Sequence, residues 1–88
     1  MTATINELIS AIKEHGQVYL HYKFGHAPLP FAYHLILTER GDVCDYSDYN
    51  GDCIAIAHIT DIETLSKKIE LCDGTQHTFM GMTTTPTL

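Results

Sequence analysis

Ile5, Leu8, Ile9 and Ile12 recur at the three-to-four-residue spacing of one helical face. Thr4 stands before them and Glu7 three residues after Thr4, so hydroxyl and carboxylate can satisfy each other's free backbone N–H groups as a capping box. Gly16 is suited to the left-handed conformation that ends a helix, and the pattern predicts a helix over residues 5–15. The period then drops from helical to two. Val18, Leu20 and Tyr22 alternate with Tyr19, His21 and Lys23, which predicts a strand with one buried and one wetter face. Gly25, Pro28 and Pro30 cannot extend a ladder and end it. Phe31, Tyr33, Leu35 and Leu37 mark one side of a second strand over residues 31–38. Glu39, Arg40, Gly41 and Asp42 are turn chemistry, and Val43 opens a third strand.

Asn50-Gly51 is the strongest hairpin signal in the chain, because both residues tolerate positive φ. A two-residue turn there pairs Asp48 with Cys53, Ser47 with Ile54 and Cys44 with Ala57. In that register Cys44 and Cys53 lie roughly 13 Å apart along the strands, too far for a disulfide. Thr60 with Glu63 forms a second capping box, and Ile62, Leu65 and Ile69 continue at helical spacing. Lys67 and Lys68 suit the negative end of that helix, which Asp73-Gly74 is expected to stop. A last strand is expected over residues 77–82, with Gly81 at a bulge or close approach. Residues 83–88 have little to bury and are expected to form a flexible tail.

The expected fold is α+β, one domain over residues 1–88. A small, mainly antiparallel sheet of about five strands carries two amphipathic helices on one face, in the order α-β-β-β-β-α-β. Residues 31–37 are apolar on both sides, Ala32 and Ile36 opposing Phe31, Tyr33 and Leu35. That points to cover on the second face, which a homodimer would supply.

With 88 residues the chain has room for one core, and roughly 60–65% of its surface is hidden on folding. Apolar residues make up 44% and charged residues 18%, a globular balance. Eleven acids against five bases leave a charge of −6, which disfavours direct binding of nucleic acid and adhesion to an anionic membrane. No run of about 18 apolar residues exists to span a bilayer. The first seven residues lack the basic and apolar stretches of a secretory signal. Cys44, Cys53 and Cys72 are odd in number and have no CxxC spacing, so free thiols in a reducing cytoplasm are expected.

Asp42, Asp45, Asp48 and Asp52 crowd one stretch, but EF-hand spacing fails from either Asp45 or Asp48 as first ligand. Six histidines are scattered without HxH, HxxxH or HExxH spacing, and no cofactor is expected. His21, His26 and His34 remain candidates for a histidine-lined cleft, the basis of an alternative reading as a small metal- or ligand-binding protein or enzyme. The nucleophile and phosphate-loop motifs are absent. Cys72 is expected to pack as a small hydrophobe.

Tyr46 and Tyr49 interleave with Asp45 and Asp48, and Asp52 follows. Tyrosine buries large area at little rotamer entropy, and carboxylates steer toward positive charge. These five residues are the candidate partner-binding surface of a non-catalytic protein-interaction module, its partner a protein with a basic surface. In size, acidity and compact α+β layout the chain resembles small inhibitors encoded by phages and mobile elements, anti-CRISPR proteins among them. That resemblance rests on no sequence motif and transfers no residue. It implies blockade of a nucleic-acid-binding surface of a host protein.

Overall fold

A computed structural model describes residues 2–25, 31–47, 51–74 and 76–87. The elements follow the expected order: α1 (Ile5–His15), β1 (Gln17–Phe24), β2 (Phe31–Leu37), β3 (Asp42–Ser47), β4 (Asp52–His58), α2 (Ile62–Lys68) and β5 (His77–Thr83). The strands form one sheet in the order β4-β3-β2-β1-β5 with every pairing antiparallel. Both helices lie on one face, where Leu8 and Ile12 of α1 and Leu65 of α2 join Val18, Leu20 and Phe79 in the core. Among the described residues no helix is long and apolar enough to cross a membrane.

Helix α1 has the expected bounds and Gly16 stop, with one half of the expected capping box: the Glu7 carboxylate takes the Thr4 hydroxyl in place of its backbone N–H. Thr4 accepts from the Glu7 N–H at 3.2 Å, its hydroxyl donates to the Glu7 carboxylate at 3.2 Å, and the Gly16 N–H donates to the Ile12 carbonyl at 2.8 Å. Helix α2 differs at both ends. Its N-cap is Asp61, which accepts from the Thr64 N–H at 3.1 Å; hydrogen bonding from the Thr64 side chain first, and from that N–H second, lowers its pKa. Thr60 instead bonds the His58 ring at 2.8 Å. The helix stops at Lys68, well before Asp73-Gly74, because the chain turns extended at Ile69, with Ile69 and Leu71 buried and Glu70 exposed between them. Geometry explains this. The chain must travel from the β4 edge to the β5 edge, roughly 19 Å across four strand spacings, and seven helical residues cover only about 10 Å. Cys72, between buried Leu71 and Asp73, is exposed and is no core hydrophobe.

Two irregularities set which side chains face the helices. On β5 the pairing moves from Tyr22↔Phe79 to His21↔Gly81, so Met80 is extra and Gly81 takes φ 138°, open only to glycine. This is the bulge expected at Gly81. On β4 the pairing moves from Cys44↔Ala55 to Val43↔Ala57, making Ile56 extra. Ile56 and Ala57 both pack against the core as a result.

The β3–β4 register differs from the two-residue hairpin. Ser47 pairs with Asp52, Tyr46 with Cys53 and Cys44 with Ala55, leaving four residues between the strands. The Asn50-Gly51 turn itself falls partly on residues 48–50, outside the described residues. Cys44 and Cys53 are therefore diagonal neighbours, two positions apart instead of four. Burial first, then the hydrogen bond with Cys53, pushes the Cys44 thiol up to about 11, while Cys53 and Cys72 are exposed thiols. Iodoacetamide at neutral pH is expected to modify Cys53 and Cys72 in the native protein and to reach Cys44 only after unfolding. Intact-mass analysis reads this directly, and native labelling of Cys44 would contradict the burial.

Beyond β5 the chain bends onto the helix-free face. The Thr83 hydroxyl donates to the Thr85 carbonyl at 2.7 Å and contacts His21 Nε2 at 2.6 Å, so the ring's N–H is the donor of the second bond. His21 is buried, which lowers its pKa and favours the neutral ring. Gln17 reaches the Thr84 carbonyl at 3.5 Å. Thr83 thus belongs to the sheet, and residues 84–85 start the tail.

Candidate functional site

The sheet is longer than its helical cover, and the uncovered end of the helix-side face lies near the β3–β4 connection. Alternation along paired strands places Tyr33, Asp45, Ser47, Asp52 and Ile54 there. Tyr33 is 45% exposed and Ile54 69%, although both point toward the helices' side of the sheet. Asp45 sits directly across from Ile54 on one flank and Leu35 on the other.

Between this end and the segment after α2 runs a cleft of about 300 Å³. Its walls are aromatic. Phe24 stacks on Phe31 with ring centroids 4.6 Å apart, Tyr22 stacks on Phe31 at 5.6 Å, and Tyr33 meets Phe31 edge-on at 5.4 Å. His77 closes the far side, edge-on to Tyr22 at 5.1 Å. The buried Tyr22 hydroxyl donates to the Glu70 carbonyl and so ties the extended segment to the sheet. Burial, then the Glu70 carboxylate, pushes the Tyr22 phenol up to about 12.

Three charged groups border these rings. Glu70 pairs with His77, carboxylate to Nε2, at 3.1 Å. Lys68 turns its ammonium to the Ile56 carbonyl at 3.4 Å. Asp45 is half-buried, and among the described residues no cation pairs with it. Removal from water alone raises its pKa.

The five residues expected as one docking surface are divided. Asp45 and Asp52 share the helix-side face, Asp52 being exposed. Tyr46 points to the opposite face, edge-on to His34 at 5.4 Å, with His34 in turn stacked on Tyr19 at 4.2 Å. Asp48 and Tyr49 lie outside the described residues. Of the candidate cleft histidines, His21 and His34 share the helix-free face. His21 pairs with Ala32 and bonds Thr83, His34 bonds Gln17 at 2.9 Å, and His26 lies outside the described residues. No group of three His, Cys, Asp or Glu side chains suited to a metal forms among the described residues.

Phe24, Tyr33, Ile54, Glu70 and His77 were not among the site residues expected from the sequence. Their signal was indirect: a two-turn second helix is too short to cover seven-residue strands, so some apolar positions on its own side must stay open. No protein-family model, curated protein or solved structure matches the chain.

Proposed function

We propose that the protein is a non-catalytic interaction module that docks on a basic surface of a partner protein through the uncovered end of its helix-side face. One observation carries the reading: among the described residues two exposed large hydrophobics, Tyr33 and Ile54, sit beside the carboxylates of Asp45 and Asp52 on the helix-side face. Exposed aromatic and aliphatic anchors supply affinity, and the carboxylates supply steering and orientation. The net charge of −6 adds long-range attraction to lysine- and arginine-rich surfaces. Such a module works by occupancy in a reducing cytoplasm, in the manner of the small phage and mobile-element inhibitors, covering groups that otherwise hold nucleic-acid phosphates.

The test compares the native protein with Asp45→Asn/Asp52→Asn in affinity capture at low and high salt. The native protein is expected to retain a salt-labile partner, and the variant to associate about tenfold more slowly with a flatter salt dependence. Unchanged capture and salt slope overturn the reading. Folding is not the confounder. The folded pKa of Asp45 lies above its unfolded value, so its ionised form subtracts stability once pH rises through that window. Its asparagine variant is expected to be at least as stable at neutral pH.

A second copy packed on the helix-free face is a separate reading, favoured by the exposed Ala32 and Ala55 and half-buried Ile36 there. Sedimentation that shifts with concentration supports it, and a concentration-independent monomer removes it.

A further inference from the structure

The cleft has more specific chemistry than a generic apolar patch. Its volume of about 300 Å³ is at the lower end of ligand pockets, which suits one side chain and leaves no room for a large cofactor. Aromatic faces attract cations through their negative quadrupole, and the attraction grows when the site is partly dry. Of the two carboxylates at the cleft, Glu70 is already held by His77, whereas Asp45 has no cationic partner among the described residues. Lys68 is the cation nearest at hand in the lining, and it is engaged with a backbone carbonyl on β4.

We propose that this cleft receives an arginine side chain of the basic partner, its guanidinium lying against the Tyr33 ring and hydrogen-bonded to Asp45, two residues further along on the neighbouring strand. The inference rests on the docking reading above and names the group that anchors it. Arginine fits better than lysine for three reasons. Its guanidinium is flat, so it can stack on the face of the half-exposed Tyr33 ring. It is also more weakly hydrated, and it can offer two parallel N–H donors to one carboxylate.

The experiment uses the whole chain with labelled aromatic rings, titrated by NMR with acetyl-Gly-Arg-Gly-amide. The same peptide with citrulline, which keeps the shape and loses the charge, and with lysine are the comparators. Saturable shifts are expected at Tyr33 and its edge-on neighbour Phe31, with arginine binding about tenfold more tightly than citrulline and severalfold more tightly than lysine. Asp45→Asn is expected to bring arginine and citrulline close to parity while leaving the ring resonances of the free protein in place. Tyr33→Leu, at a half-exposed ring, is expected to weaken arginine binding severalfold without unfolding the chain. Equal binding of arginine and citrulline, equal binding of arginine and lysine, or shifts confined to another surface overturn the assignment. A cleft indifferent to charge alongside salt-dependent capture removes this inference alone. Arginine preference in the cleft with capture insensitive to Asp45 and Asp52 supports the cleft and removes the docking reading.

Discussion

Replacing Phe79 by alanine is expected to lower the melting temperature by at least about 12 °C, the largest stability effect of any single truncation in this chain. Phe79 lies on β5 and is the largest of the fully buried side chains among the described residues. Phe→Ala in a core costs about 3–5 kcal/mol through lost transfer energy and the cavity left behind. A domain of this size holds only about 4–13 kcal/mol in total, and each kcal/mol moves its midpoint by about 4–8 °C. The position is also an anchor for its surroundings. The Phe79 ring packs on Tyr22 at 5.4 Å, and its N–H donates to Asp73 at 2.9 Å, holding the segment between α2 and β5. Thermal unfolding followed by circular dichroism measures the effect. A shift of a few degrees would mean that β5 contributes little to the core.

Tyr33→Ala combined with Ile54→Ala is expected to do the opposite. Partner affinity should fall by about thirtyfold or more, the loss typical of removing interface anchors worth 2 kcal/mol or above. The melting temperature should fall much less than for Phe79→Ala, because Ile54 is largely exposed and Tyr33 nearly half exposed. This double change separates docking from structure. Affinity measured by calorimetry on the captured partner, together with a melting curve, gives both readings. Intact affinity would place the interface elsewhere, with the opposite face around Tyr46 the next surface to truncate. Large destabilisation instead would show these residues to be structural.

Much of the fold is legible in the chain because it rests on local periodicity. The helical spacing of Ile5, Leu8 and Ile12 and the alternation of Val18, Leu20 and Tyr22 each describe one face of one element. These patterns require no knowledge of neighbours. The Thr4–Glu7 cap and Gly16 are equally local. The second helix was less legible, since Ile62, Leu65 and Ile69 keep helical spacing while the chain has already become extended at Ile69. There the distance to be crossed overrides local preference.

The hairpin register shows a different limit. Moving the partner of Asp45 from Ile56 to Ile54 is a shift of two residues, and a shift of two returns every side chain to the same face. Hydrophobic alternation is therefore blind to it. The same blindness hid the neighbouring of Cys44 and Cys53. Asp45 and Tyr46, adjacent in sequence, had to point to opposite faces once both were in a strand, so a single acidic and aromatic docking surface could not include both. That much was available from the sequence by applying the strand period to its own candidate residues.

Local order and facing, then, were determined by the amino-acid pattern: seven elements, their sequence and the side of each that seeks the core. The tertiary structure alone decided where cover runs out. Which apolar side chains stay exposed depends on how far a two-turn helix reaches across five strands. Which carboxylate stays unpaired depends on groups distant in the chain, such as Lys68 and His77, finding other partners. Both are properties of distances between elements, and no periodicity within an element encodes them.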